Sequence, residues 1–176
     1  MNNQQANKIA KTFGIILTVH GFKMTRSGYD GLSRVKLPSR LINDSFDRIK
    51  KMPVSQRDFA YYFTGWDNWE GMLETVHKII KDFKWEKEVF DCDDRSKMVS
   101  ALCSLLFRVN TCAEVYCEIT SLKTGNKDYH WTNVVITSSG ELYLFDVDNG
   151  GLFLKLYPNK PITMGKWSYN FIRVRL

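Results

Sequence analysis

The chain has 176 residues, 44% of them hydrophobic and 14% aromatic, with 25 Lys and Arg against 19 Asp and Glu for a net charge of +6. That length supports one domain with a sizeable core, and the composition excludes a disordered or collagen-like chain. No apolar run approaches the roughly 18 residues needed to cross a bilayer, the N-terminus lacks a secretory cleavage site, and the cations are interleaved with acids, so the charge points only weakly to nucleic acid.

No repeat or linker divides the sequence, and a single domain over residues 1–176 is expected. Residues 7–18 read as a first helix, although "GIILTV" suits a strand equally well, and "GYDGLSRVKLPSR", 28–40, carries the turn residues of a loop. From Trp69 to Phe83, the apolar positions Trp69, Met72, Leu73, Val76, Ile79, Ile80 and Phe83 recur every three or four residues and predict an amphipathic helix. The next helix is expected to open at "FDCDDRSKMVSALCSLLF", residues 90–107. Its carboxylates Asp91, Asp93 and Asp94 suit the positive end of a helix, and Met98, Ala101, Leu102, Leu105 and Leu106 repeat on one side. "RVNT" ends it. "AEVYCEI", "WTNVVIT", "ELYLFDV" and "YNFIRVRL" then read as strands of an antiparallel sheet. The fold class is α+β, with helices in the N-terminal half packed on a C-terminal antiparallel sheet.

Cys92 therefore falls at a helix N-terminus. A cysteine is a nucleophile only as thiolate, and a helix N-terminus or a neighbouring imidazolium favours that form, whereas flanking carboxylates oppose it. A histidine partner is required. Of the three histidines, His130 opens a strand. If "SSG" is a three-residue hairpin loop with Gly140 left-handed, Thr137 pairs with Glu141, Thr132 lies opposite Asp146, and His130 lies opposite Asp148. One sheet face then carries Val134, Ile136, Leu142 and Leu144, with His130 and Asp146 as diagonal neighbours at its end. A two-residue "SG" turn would instead put both aspartates on the other face. With the Cys92 helix packed across the Val134 face, the thiol meets the imidazole, and Asp146 fixes its tautomer. Asp148, directly opposite His130, is the alternative acid.

"DCDD" opening a helix, "HWTN" opening a strand and the acid of "LYLFDVDNG" resemble the transglutaminase-like cysteine peptidases of bacteria and phages, within the papain-like superfold. The resemblance covers residues 69–154. It implies a Cys92, His130, Asp146 triad, with Asn133 matching an asparagine three residues after the histidine as a possible support. Arg95, Ser96 and Trp131 depart from the family pattern. The resemblance further implies a catalytic core over 69–176 following an N-terminal helical and loop part, 1–68, and cysteine-dependent acyl transfer on a protein or peptide substrate without cofactor or metal. For the oxyanion, the Cys92 N–H is one donor, and Gln56 or a tryptophan indole supplies another. The cytoplasm of a bacterium or of a phage-infected cell is the expected setting. Two other classes stay open: a non-catalytic protein-binding module on the same fold, such as a phage-encoded inhibitor of a host factor, and a nucleic-acid binder.

Other features have plainer readings. "DVDNGG" starts like a calcium loop, but Tyr157 stands where a bidentate glutamate is needed, so a turn is expected. Asp91, Asp93 and Asp94 read as caps before they read as a cation site. "FAYYFTGWDNWEG" reads as packing that can also line a cleft or stack on bases or sugars, and His77, Cys103, Cys112 and Cys117 as packing or surface residues.

Overall fold

The structure, a computed structural model, describes residues 24–25, 28–29, 34–56, 58, 60–83, 85–87 and 90–176. The helix expected over 7–18 lies outside them. Among the described residues the chain forms an α+β fold in which a seven-stranded sheet carries helices on both faces.

Two short pairs come first, β1 (Met24–Thr25) with β2 (Gly28–Tyr29), and β3 (Val35–Leu37) with β5 (Tyr61–Phe63). Both β2 and β3 fall within the stretch expected to be a loop. Val35 and Leu37 supply the β-propensity that the surrounding Gly, Ser and Pro residues hid. Helix α1 (Arg40–Ile49) lies between β3 and the two-residue β4 (Val54–Ser55). Helix α2 spans Trp66–Ile80, about a turn earlier than the apolar spacing suggested. Gly65 is extended at its N-cap, and Phe83 lies past its end, exposed. Helix α3 runs Cys92–Phe107, with Asp91 as N-cap accepting from the Asp93 N–H and Arg108 closing the C-terminus in the left-handed conformation. Its buried stripe is Arg95, Ser96, Val99, Leu102, Cys103 and Leu106. Ala101 and Leu105, expected to face inward, are exposed.

The main sheet comprises β6 (Cys112–Ser121), β7 (Lys127–Ile136), β8 (Leu142–Asp146), β9 (Leu152–Lys155), β10 (Thr163–Met164) and β11 (Trp167–Arg175), ordered β10-β11-β6-β7-β8-β9, with β4 joining β11. The pairs are antiparallel except β4 with β11, which is parallel. The β7–β8 hairpin closes as the glycine requires. The Thr137 N–H donates to Glu141 O at 2.9 Å, the Gly140 N–H donates to Thr137 O at 2.9 Å, and Gly140 has φ +76°. The ladder pairs Ile136 with Leu142 and Asn133 with Phe145, the register that the three-residue loop dictates.

Both faces of these strands are buried. On one face, Val134, Ile136, Leu142 and Leu144 pack with Ile42 and Phe46 of α1 and with Tyr61 and Phe63. On the other, Val135, Tyr143 and Phe145 meet Trp69, Leu73 and Val76 of α2 and Val99, Leu102 and Leu106 of α3. The Cys92 helix therefore crosses the face opposite to the one expected. The aromatic stretch 59–71 is mostly absorbed by these cores. Tyr61, Phe63 and Trp69 are fully buried, the Trp69 indole donating to Ile136 O at 3.2 Å, and Trp66 stacks on Tyr143 with ring centroids 3.7 Å apart.

The sheet is strongly curled. β11 stands three places from β8, roughly 14 Å across a flat sheet at the usual strand spacing. Yet the Tyr169 hydroxyl of β11 reaches the Asp146 carboxylate of β8 at 2.7 Å. The curl makes the α1-side face concave, and the residues of the Asp146 turn at its end line a cleft.

Candidate active site

The β7–β8 ladder stops at Asn133 and Phe145, so His130 lies beyond its last pair while still paired with Cys117 of β6. β7 begins at Lys127, and His130 sits inside the strand rather than opening it. The ring is buried and on the concave face, where its Nε2 lies 3.1 Å and 3.2 Å from the two carboxylate oxygens of Asp146. Asp146 ends β8, and the turn that follows supplies further donors: the Asp148 and Asn149 N–H groups donate to Oδ1 at 3.0 and 3.3 Å, and the Tyr169 hydroxyl donates to Oδ2. Gly150 and Gly151 adopt positive φ and close this turn, the "DVDNGG" stretch, with the Gly151 N–H donating to Asp146 O at 3.0 Å.

Cys92, the first residue of α3, is the third member. Its thiol lines the same cleft as His130 and Asp146, close enough to the imidazole to help raise its pKa. As the first helical residue, Cys92 also has an N–H that no intrahelical carbonyl can accept. The three residues named from the sequence line one cleft, although the Cys92 helix packs against the side of the sheet opposite to the one expected.

The electrostatics follow from burial and partners. Desolvation pulls the His130 pKa down, but the ring's hydrogen bond to Asp146 and the interaction with Cys92, with the charges of both, outweigh it and raise it to about 10. Burial works to raise the Asp146 pKa. The His130 hydrogen bond and charge, the Tyr169 hydroxyl and the Asp148 N–H prevail and hold it below the ordinary carboxylate value. Asp148 behaves oppositely: burial raises it, only partly offset by Arg95 and His130. Its carboxylate is 3.0 Å from Arg95 Nε, an ion pair without the alignment of a hydrogen bond, and makes no bond to the imidazole. Asp148 therefore supports the site through its backbone N–H and through Arg95, and does not replace Asp146 as the acid.

Two other expected residues are elsewhere. The Gln56 side chain donates to Ser39 O at 3.3 Å and Asn43 Oδ1 at 2.9 Å beside α1, which removes it as an oxyanion donor. Asn133, three residues from His130 on an alternating strand, faces the opposite side of the sheet. There its amide donates to Ser96 O at 3.0 Å, Ser100 Oγ at 3.1 Å and Ala113 O at 3.3 Å. It rivets α3 to the sheet and is not a support for the imidazole.

The three residues open onto a cleft of about 1110 Å³, whose walls include Trp85, Tyr129, Lys166 and Trp167. His77 stands in the wall against Gly151, its pKa lowered by burial first and then by Lys81, Arg95 and Lys78. Cys103 and Cys112 are buried neighbours, and their contact, with burial, pushes the Cys103 thiol well up, while burial and then Asp146 and Cys92 raise the Cys117 thiol. Among the described residues, two groups of acids and histidine have the spacing of cation ligands: His130, Asp146 and Asp148, and Asp91, Asp93 and Asp94. The first is committed to the pairings above. In the second, Asp91 caps α3, and Asp93 and Asp94 pair with Lys97 at 2.5 and 3.4 Å. Tyr169 is the site residue that the sequence did not reveal, because no local spacing signals a contact made across a curled sheet.

No protein-family model matches the chain, and no curated protein matches it. Among solved structures it is similar to PSL1a in complex with E64, at 14% identity and a TM-score of 0.56, over 80% of this chain and 51% of that one. It is also similar to the Polyporus squamosus lectin bound to the human-type influenza-binding epitope Neu5Acα2-6Galβ1-4GlcNAc, at 11% identity and a TM-score of 0.52, over 80% of this chain and 49% of that one. The chain spans about half the length of these two. At such identities the likeness is one of fold.

Proposed function

We propose that this chain is a cysteine-dependent acyl-transfer enzyme of papain-like, transglutaminase-like architecture, acting as a peptidase, amidase or transamidase on a protein or peptide. The observation that carries the reading is that one open cleft is lined by a helix-terminal thiol together with an imidazole whose Nε2 is held by a buried carboxylate. With Nε2 committed to Asp146, Nδ1 is the nitrogen left for the thiol. In the forward step, the Cys92 sulfur attacks the acyl carbon as thiolate, its proton already held by the His130 imidazolium. The tetrahedral oxyanion accepts a hydrogen bond from the Cys92 N–H, and collapse forms a thioester while His130 returns the proton to the leaving amine. Water, or an amine in a transamidase, then attacks the thioester, with His130 taking its proton and handing it back to the sulfur. Asp146 remains ionised throughout, fixing the ring.

An activated ester such as p-nitrophenyl acetate tests this without knowledge of the natural substrate. Acetyl adduct on Cys92, seen by intact mass and lost in Cys92→Ala and His130→Ala, is the expected result; acylation that persists in His130→Ala removes the enzyme. E64, the compound held by PSL1a, is a second probe for the same thiol.

A second reading is glycan binding. It draws on the fold shared with the lectin above and on the aromatic side chains of Trp85, Tyr129 and Trp167 in the cleft wall. Saturable binding of a sialylated glycan by Cys92→Ala protein, abolished by Trp167→Ala, would favour it. Nucleic-acid binding would show instead as a steep loss of affinity with salt.

A further inference from the structure

We infer that Tyr169 is a fourth member of this site, the positioning residue that holds Asp146 in the ionised form and orientation His130 needs; this rests on the triad reading above. Three linked features of the structure converge on it. The phenol is buried, and its hydroxyl donates to Asp146 Oδ2 at 2.7 Å, the shortest bond that the carboxylate receives. The hydroxyl is itself anchored, since Asn149 Nδ2 donates to it at 3.3 Å and also donates to Met164 O at 3.2 Å. That anchoring needs a glycine at 165: Gly165 has φ +60°, and a Cβ there would fall 2.9 Å from Asn149 Nδ2.

The topology makes the contact more than incidental. Tyr169 comes from β11 and Asp146 from β8, with β6 and β7 between them, so the phenol bridges the concave face past His130. The two backbone N–H groups of the turn fix Oδ1, and the phenol fixes Oδ2. The carboxylate is thereby held at both oxygens, with His130 Nε2 3.2 and 3.1 Å from them. Burial and the Asp146 charge raise the phenol pKa, so the group is a donor at every working pH. As a donor to the charged form of Asp146, it favours the ionised carboxylate.

The test is the pH dependence of Cys92 alkylation by iodoacetamide in Tyr169→Phe, which keeps the ring and removes only the hydroxyl. Loss of one donor makes Asp146 harder to ionise, so the acid-side midpoint of the alkylation profile is expected to rise by about one pH unit. The rate at neutral pH should fall roughly tenfold, because the thiol depends on an imidazole that has lost its orientation. A phenol that served packing alone would lower thermal stability without moving that midpoint. If Tyr169→Phe does not fold, uniform 3-fluorotyrosine incorporation replaces it: the more acidic phenol donates more strongly, and the midpoint should move down. An unchanged midpoint in folded Tyr169→Phe, with alkylation still dependent on His130, overturns the role of Tyr169 and leaves the triad standing. Alkylation that ignores His130 altogether defeats the triad first, and the role of Tyr169 with it.

Discussion

Replacing Asp146 by asparagine removes one charge and almost no volume, and the structure sets what that costs. Every polar neighbour of the carboxylate is a donor: the Asp148 and Asn149 N–H groups on Oδ1, the Tyr169 hydroxyl on Oδ2, and His130 Nε2 at 3.1 and 3.2 Å. An asparagine has one oxygen to offer, so its NH2 must face either the turn or the phenol, donor against donor. Its neutral amide also strips the buried imidazolium of its counter-charge. Removing one partner of a buried pair costs about 3–5 kcal/mol, which for a chain of this size lowers the midpoint of thermal unfolding by roughly 6 to 20 °C. The pH dependence must change as well. His130 is raised from 6.5 to about 10, so its pairing stabilises the native state fully below pH 6.5 and that stabilisation is lost as pH rises toward 10. Asp146 is lowered, so its contribution is present above the ordinary carboxylate pKa and is lost as pH falls through the folded value. Urea unfolding of wild type and Asp146→Asn at several pH values between 5 and 10 measures both effects. The wild type should lose stability across the alkaline half, and the variant should show a flatter profile. A cost under about 1 kcal/mol at pH 6.5, or identical slopes, would refute the buried ion pair.

Asn133→Ala removes the amide that donates to Ser96 O, Ser100 Oγ and Ala113 O, and should cost about 2–3 kcal/mol in urea unfolding while leaving Cys92 alkylation within twofold of wild type. Gly140→Ala forces a side chain into φ +76° with Arg48 Nη2 2.8 Å from the new Cβ; a loss of more than about 1 kcal/mol in thermal or urea unfolding is expected. Lys97→Ala breaks only half-exposed pairs with Asp93 and Asp94, and its effect on stability should stay below about 0.5 kcal/mol.

Much of the site was legible because it rests on local rules. A glycine in "SSG" that must be left-handed fixes the hairpin, the hairpin fixes the register, and the register makes His130 and Asp146 diagonal neighbours. Asp91 before Cys92 marks a helix start by the same local logic. What failed was non-local. Residues Leu142 to Val147 are all buried, so alternation along β8 carries no record of which side receives the Cys92 helix, and the face carrying Val134 was chosen over the face carrying Val135. The inward stripe of α3 went astray for a related reason. Arg95, Ser96 and Cys103 are buried there for packing and polar contact, while Leu105 is left in solvent. The short strands β3, β4, β9 and β10 lack the length for a period to show. Tyr169 owes its place to the curl of the whole sheet.

The sharpest single measurement is the second-order rate of Cys92 alkylation by iodoacetamide at pH 6, in wild type and in His130→Ala. An imidazole that governs the thiol predicts a wild-type rate at least tenfold above that of the variant, both proteins being folded. Equal rates would mean that sulfur and imidazole are neighbours without chemical consequence, and the acyl-transfer account would fall.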